Sequence, residues 1–233
     1  MNRWKAFALH LLLSLVIISG IAAAALLVWY PHGLYRIAGL DRLMLVMLCI
    51  DIVAGPLLTL VVYKVGKPSL RMDLTVVALV QAAFLGYGLH TLWLSRPVFL
   101  VASAVRINLV FANEVEPTEL AKARRPEWRR LSWTGPQLVG VLPPEAKDRQ
   151  RLLQELMATG RDLHELPSEY VDFDRTAPLM LKNSTPYNGK GVQANTNHDR
   201  AIPIISRNGE AEMLVNPSSG SPIKVVPSRQ WRY

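Results

Sequence analysis

The sequence predicts a membrane protein, with three transmembrane α-helices followed by a small α+β extracytoplasmic domain built on an antiparallel sheet. Three observations carry that reading. Half of the 233 residues are hydrophobic and the mean hydropathy is +0.18, which is too apolar for an average soluble domain. The excess lies almost entirely in the first 96 residues. Three apolar runs there each reach the length, about 20 residues, that a helix needs to cross a bilayer core. From Pro97 onward the composition is mixed, with many prolines and short apolar runs. The expected organisation is a membrane domain over 1–96 and a second domain over 97–233.

The spans read AFALHLLLSLVIISGIAAAALLVWY (6–30), LMLVMLCIDIVAGPLLTLVVY (43–63) and LTVVALVQAAFLGYGLHTLWL (74–94). Trp4, Trp29, Tyr30, Tyr63 and Trp93 stand near their ends, where amphipathic rings favour the membrane–water interface. The basic start and the SGIAAAA stretch resemble a signal peptide, but the apolar run outlasts one and reads as an uncleaved anchor. Arg3, Lys5, Lys64, Lys67 and Arg71 fall on one side of the spans, and Arg36, Arg42 and Arg96 on the other. Basic residues stay on the cytoplasmic side. The expected topology has the N-terminus cytoplasmic and the C-terminal domain outside, which in a Gram-negative cell would be the periplasm.

The second span holds a carboxylate, Asp51, and a helix breaker, Pro56. A charged group at mid-bilayer costs several kcal/mol and turns to protein or water. At about 1.5 Å per residue, Asp51 and Tyr87 of the third span lie at similar depth, with Gln81 and His90 within a turn or two. Tyr87 is the first expected partner. Pro56 lacks an N–H and crowds the carbonyl of Ile52, so a kink is expected. Gly55 eases the kink, and the freed carbonyl needs a donor such as Thr59 or a polar group of the third span. Asp51, Gly55, Pro56, Gln81, Tyr87 and His90 thus form one intramembrane polar and kink site, pinning two helices together or contacting a partner helix, with proton or ion transfer the least supported role because no relay accompanies the lone carboxylate. Gly86, Gly88, Ala82 and Ala83 suit close helix packing. His10 reads as an interfacial side chain.

In the second domain, 98–113 reads as strand, bend and strand, rich in β-branched residues. A short helix is expected over 117–125, stopped by Pro126, and a short strand within 132–144. The clearest helix is 144–160. Pro144 and Glu145 open it, Leu152, Leu153, Leu156 and Met157 form an apolar stripe, and Gly160 closes it. This helix is expected against the sheet. Residues 161–200 carry weaker signals: an irregular segment around LHELPSEYVDFD and an exposed polar loop over 182–200. Asn208-Gly209 between two apolar runs predicts a hairpin, and IKVVP completes a three-stranded meander.

Function classes fall away in turn. The net charge of +8 belongs mostly to the helical part, and the one basic cluster of the second domain, ARRPEWRR (123–130), is interrupted by Glu127, so nucleic acid is not an expected partner. Cys49 is the one cysteine and allows no intrachain disulfide. His164 and His198 lack metal-ligand spacing. NGKG (188–191) is a turn rather than a phosphate-binding loop, and Asp172 and Asp174 alternate without catalytic company. No cofactor, metal or catalytic residue is expected.

NRWKAFALHLLLSL, VWYP (28–31), DIVAGPLLTLVVY (51–63), KPSLRMDLTVVALVQ (67–81), YGLHT and SRPVFLV (95–101) together resemble the type IV pilin accessory proteins of the TfpX/TfpZ family. The resemblance covers the membrane region and the first strand, and GPQLVGVLPPEAKDR (135–149) extends it. It implies a non-enzymatic inner-membrane factor without cofactor, with the type IV major pilin and pilus assembly proteins as partners. The bent second helix would hold the pilin helix while the 97–233 domain meets the pilin head or the assembly platform. Two alternatives remain at this stage. One is a membrane-bound sensor with a periplasmic ligand-binding domain. The other is a membrane enzyme modifying pilin, with His32, Asp41 and His90 as its faint candidates.

Overall fold

A computed structural model describes residues 2–187 and 200–228. They divide into two compact units, Met1–Leu27 with Leu40–Leu94, and Val28–Gly39 with Ser95–Tyr233.

The first unit holds helices α1 (Arg3–Val28), α2 (Leu40–Val62) and α3 (Leu70–Leu94), each long and apolar enough to cross a membrane. All three begin three or four residues before the predicted spans, because hydropathy marks the apolar stretch and not the helix that carries it. Leu12, Leu27, Val61 and Leu79 are exposed, whereas the residues turned inward include Ala6, Ser14, Ala25, Asp51, Thr59 and Gly88. Small side chains bring helices close. A Cβ on Gly88 would stand 3.0 Å from the Met47 side chain, and α2 packs most closely on α3. Helix α2 is also interrupted. Leu40–Leu48 is α-helical, Cys49–Ala54 is a π turn, and Gly55–Val62 is α-helical again.

The second unit is a seven-stranded sheet in the order β3-β1-β2-β5-β6-β7, with β4 on β5. Its strands are β1 (Pro97–Ala102), β2 (Ile107–Phe111), β3 (Gln137–Gly140), β4 (Thr185–Pro186), β5 (Arg200–Ser206), β6 (Gly209–Val215) and β7 (Pro222–Val226). The sheet is mixed, not antiparallel as expected. The hairpin β1–β2 and the meander β5–β6–β7 are antiparallel, but β1 pairs β3 and β2 pairs β5 in parallel. Parallel neighbours need a crossover of a dozen residues or more. The segment between β2 and β3, with the short helix α4 (Pro117–Ala121), supplies one. Turn signals and apolar runs locate strands, but the pairing across such crossovers is fixed by packing.

Every residue of β1 and β2 is buried, because the sheet is covered on both faces. On one side Phe99, Val101 and Val110 meet Trp128 and Tyr170. The Tyr170 ring stands edge-on to Phe99 with centroids 5.1 Å apart, and its hydroxyl donates to the His164 carbonyl at 2.5 Å. Helix α6 (Phe173–Asn183) packs on β1, β3 and β5, burying Thr176, Ala177 and Met180. A Cβ on Gly140 would lie 2.1 Å from Thr176 Oγ1, so the glycine admits the helix.

This corrects the expected packing. Helix α5 (Ala146–Thr159) forms where predicted and ends at Gly160 in the left-handed region, but it buries no residue, and Leu153, Leu156 and Met157 are exposed. The weakly signalled α6, with Pro178 inside it, does the covering. Part of the polar loop expected over 182–200, including NGKG (188–191) and His198, lies outside the described residues. The hairpin turns on Arg207–Asn208, with Ser206 opposite Gly209.

Val28–Gly39 belongs with the sheet, whereas the sequence division had grouped it with the helices. Leu34 and Ile37 are buried. Trp29 Nε1 donates to the Trp133 carbonyl at 2.8 Å, His32 Nδ1 to the Ile223 carbonyl at 3.0 Å, and Asn208 Nδ2 to the Ala38 carbonyl at 2.7 Å. Ser206 Oγ donates to the Ile37 carbonyl. Gly135, at φ 110°, lets its loop approach Val28, since a Cβ there would meet the Val28 carbonyl at 2.8 Å. The hairpin tip therefore serves as the dock for this segment.

Candidate functional site

The candidate site lies within the helical unit, at the π turn of α2. A π turn adds a residue to one helical turn and often marks a functional position. Here Gly55 N–H donates to the Ile50 carbonyl, five residues back. Pro56, the next residue, has no N–H to offer, so the corresponding carbonyl five residues before it, that of Asp51, loses its partner. Gln81 Nε2 of α3 approaches that oxygen at 3.5 Å, the long limit of a hydrogen bond. The freed carbonyl is thus Asp51's, where the sequence pointed to Ile52. Gly55 makes the approach possible, because a Cβ there would fall 1.7 Å from Gln81 Nε2.

The Asp51 side chain is 6% exposed, and among the described residues its Oδ2 is buried without a hydrogen-bond partner. Tyr87 does not supply one. Its ring is 71% exposed, though it borders a small cleft of about 150 Å³ with Asp51 and Gly88. His90 is exposed as well. Depth reckoning gave the right level but not the right azimuth. Val77, Gln81, Gly88 and Leu92 share the inward stripe of α3 at helical spacing, and Tyr87 and His90 lie off it.

A larger cleft of about 440 Å³ opens between α1 and the other two helices, and Asp51, His10, Ser14, Thr59 and Gln81 border it among leucines, isoleucines and alanines. His10 Nδ1 and Thr59 Oγ1 are 2.6 Å apart, so Thr59 is bonded to α1 and does not serve the freed carbonyl. His10 and Ser14 were missed as site residues. Their signal was a stride of four, Ala6-His10-Ser14-Ile18, which places small and polar groups on one face of an apolar helix.

The candidates of the second unit are structural. Asp172 pairs with Arg125, and His32 holds the Ile223 carbonyl. His164 Nδ1 lies 3.3 Å from an Asp162 carboxylate oxygen, and burial pushes the imidazole below its usual pKa. Among the described residues no three His, Cys, Asp or Glu side chains converge as metal ligands would.

Comparison with known proteins agrees with a fimbrial setting. No family model matches the chain, and no solved structure matches it. It is similar to a "Fimbrial assembly protein, serogroup I" of Dichelobacter nodosus, 27% identical over 187 residues, covering 78% of this chain and 71% of that protein. The serogroup E1 protein of the same organism is 26% identical over the same shares. The protein of serogroups C1 and C2 is 29% identical over 124 residues, covering 51% of this chain and 92% of its own. Three helices apt to cross a membrane and these relatives together support a bacterial envelope protein related to fimbrial assembly proteins.

Proposed function

We propose that this protein is a non-enzymatic inner-membrane accessory factor for type IV fimbriae, of the TfpX/TfpZ kind, which assists subunit handling, assembly or surface display by contacting the major fimbrial subunit or the assembly machinery. The observation that carries the proposal is the similarity to fimbrial assembly proteins across 187 residues. Topology supports it. The segment joining α1 to α2 is built into the domain that follows α3, which suits three crossings with that domain on the side opposite the N-terminus. The basic residues Arg3, Lys5, Lys64, Lys67 and Arg71 favour the N-terminal side as cytoplasmic, leaving the sheet domain periplasmic. The engagement of His32 and Asp172 in structural contacts favours a binding role over chemistry on the subunit.

A clean deletion with complementation tests this. Sheared surface fimbriae are expected to fall while total cellular subunit persists, and the mass of the mature subunit is expected to stay the same. Unchanged surface fimbriae would refute the accessory role, and a change in subunit mass would refute its non-enzymatic character.

A further inference from the structure

We infer that loop 132–135 of the sheet unit is a membrane-interface contact, with the Trp133 ring seated among the phospholipid headgroups of the leaflet at which α1 and α3 both end. This rests on the reading of α1 and α3 as membrane crossings, and adds a lipid contact made by a loop that belongs to neither helix.

Depth comes first. Helix α1 has 26 residues and α3 has 25, so each is about 37–39 Å long. A hydrocarbon core is about 30 Å thick, and a bilayer with its headgroups about 40–45 Å, so the ends of both helices fall in the headgroup layer. Loop 132–135 is fastened to those ends at three of its four residues. Arg96, two residues past α3, donates from Nε to the Ser132 carbonyl at 3.0 Å. Trp29, one residue past α1, donates from Nε1 to the Trp133 carbonyl at 2.8 Å. Gly135 closes on Val28, the last residue of α1, where a Cβ would meet the Val28 carbonyl at 2.8 Å. Tyr30 ties the two exits together, its hydroxyl donating to the Ser95 carbonyl at 3.4 Å. The loop therefore sits at headgroup depth.

The side chains then choose the partner. Trp133 is 72% exposed, whereas Trp128, five residues earlier, is buried in the core beside Tyr170. An indole has a broad apolar ring and one N–H, which suits the headgroup layer better than bulk water or hydrocarbon. A protein partner would look for a contiguous apolar surface, but the exposed residues flanking Trp133 in the chain, Arg130 and Thr134, are polar. An exposed guanidinium three residues from the ring is instead matched to the phosphate oxygens of a headgroup.

Site-specific photocrosslinking in fimbriated cells tests the assignment with the full chain. A benzophenone amino acid replaces Trp133, or the exposed Thr134 beside it if the first variant fails to accumulate. Met157, 88% exposed on α5, and Leu79, 65% exposed on α3, are replaced in the same way for comparison. Adducts are identified by the intact mass of the purified protein. Phospholipid adducts are expected from Trp133 at roughly tenfold the yield from Met157, the contrast between a ring held among headgroups and one in water. Leu79 should give lipid adducts too, as an outward residue within a crossing. Equal lipid yields at Trp133 and Met157 would overturn the inference. So would adducts at Trp133 to the fimbrial subunit or to a second copy of this chain in place of lipid. Lipid adducts from Leu79 with none from Trp133 or Thr134 would remove the loop assignment alone. No lipid adduct from Leu79 would remove the crossing itself, and the loop assignment with it.

Discussion

In the helical unit, Ser14, Asp51, Gly55, Thr59 and Gly88 turn inward while Leu27, Val61 and Leu79 face out. In the sheet unit, Phe99, Val101, Ile107, Ile204 and Met213 are sealed, and ion pairs such as Arg106–Asp162 and Arg125–Asp172 lie toward solvent. The same chain sorts its residues by two different rules. Against water, apolar area drives burial. Where the surroundings are themselves apolar, as they are for a helix that crosses a bilayer, that drive vanishes. Close packing of small residues and hydrogen bonds between helices decide what turns inward. Helix α5 shows that the first rule needs a surface to act on, since among the described residues its apolar stripe is left largely open, with Leu152 half-buried and Leu153, Leu156 and Met157 exposed.

Substitutions can sharpen or break this contrast, measured as thermal unfolding of the full chain in nanodiscs. The largest effect belongs to the sheet core. Met180→Ala removes a side chain that is fully buried and should cost about 2–5 kcal/mol. The same change at Met157, 88% exposed on α5, should stay within about 0.5 kcal/mol. Comparable losses at the two sites would mean that α5 is covered after all.

Gly140→Ala comes next. Its Cβ would press on Thr176 Oγ1 and, at 2.8 Å, on Thr176 Cβ, so α6 must shift, at about 1–3 kcal/mol. Partial restoration by the double variant with Thr176→Ala, which removes the Oγ1 that meets the new Cβ, would locate the strain at that contact, and its failure to restore would place the strain elsewhere.

The pH dependence of the sheet unit is a smaller test. His164 has its pKa lowered first by burial, with Arg106 acting the same way and the Asp162 and Glu165 carboxylates opposing. The unfolded imidazole binds its proton near the ordinary 6.5, before the folded one does. His164 thus contributes stability that is present above that value and lost as pH falls through the folded pKa. His164→Gln should flatten the melting temperature profile between about pH 7 and pH 5. A slope identical to wild type would exclude His164 as its source.

The smallest effect is expected in the helices. Gly55→Ala displaces the tip of a flexible Gln81 side chain, so only the bond to the Asp51 carbonyl is lost, at about 0.6 kcal/mol and at most near 1.7. A loss as large as that at Gly140 would show that the π turn, and not the hydrogen bond, depends on the glycine.

Much of this was legible from residue order. The three apolar helices, the hairpin of β1 and β2, α5 with its Gly160 stop, and the closing meander all rest on local chemistry: run length, β-branching and turn residues. The legible part of the candidate site was Asp51, Gly55, Pro56 and Gln81. A carboxylate and a proline in an apolar run are conspicuous, and glycine opposite a long polar side chain is a familiar packing device. Tyr87 and His90 stood out by residue type, but the azimuth of α3 turns them outward. His10 and Ser14 were hidden because a histidine near a helix end has a simpler reading, and its partner Thr59 is 49 residues away.

The sequence by itself determined what is local: where helices and strands begin, which stretches are apolar enough for a membrane, and which turn closes the hairpin. Tertiary structure alone decided which strands run parallel, that α6 and not α5 covers the sheet, and that Val28–Gly39 docks on the hairpin tip. It also decided that Asp51 is buried where α2 borders a cleft, its Oδ2 without a hydrogen-bond partner among the described residues. Each of those depends on contacts between residues far apart in the chain. The free energy of such contacts depends on which surfaces meet and on how closely a glycine lets them approach, and neither is written in any single stretch of residues.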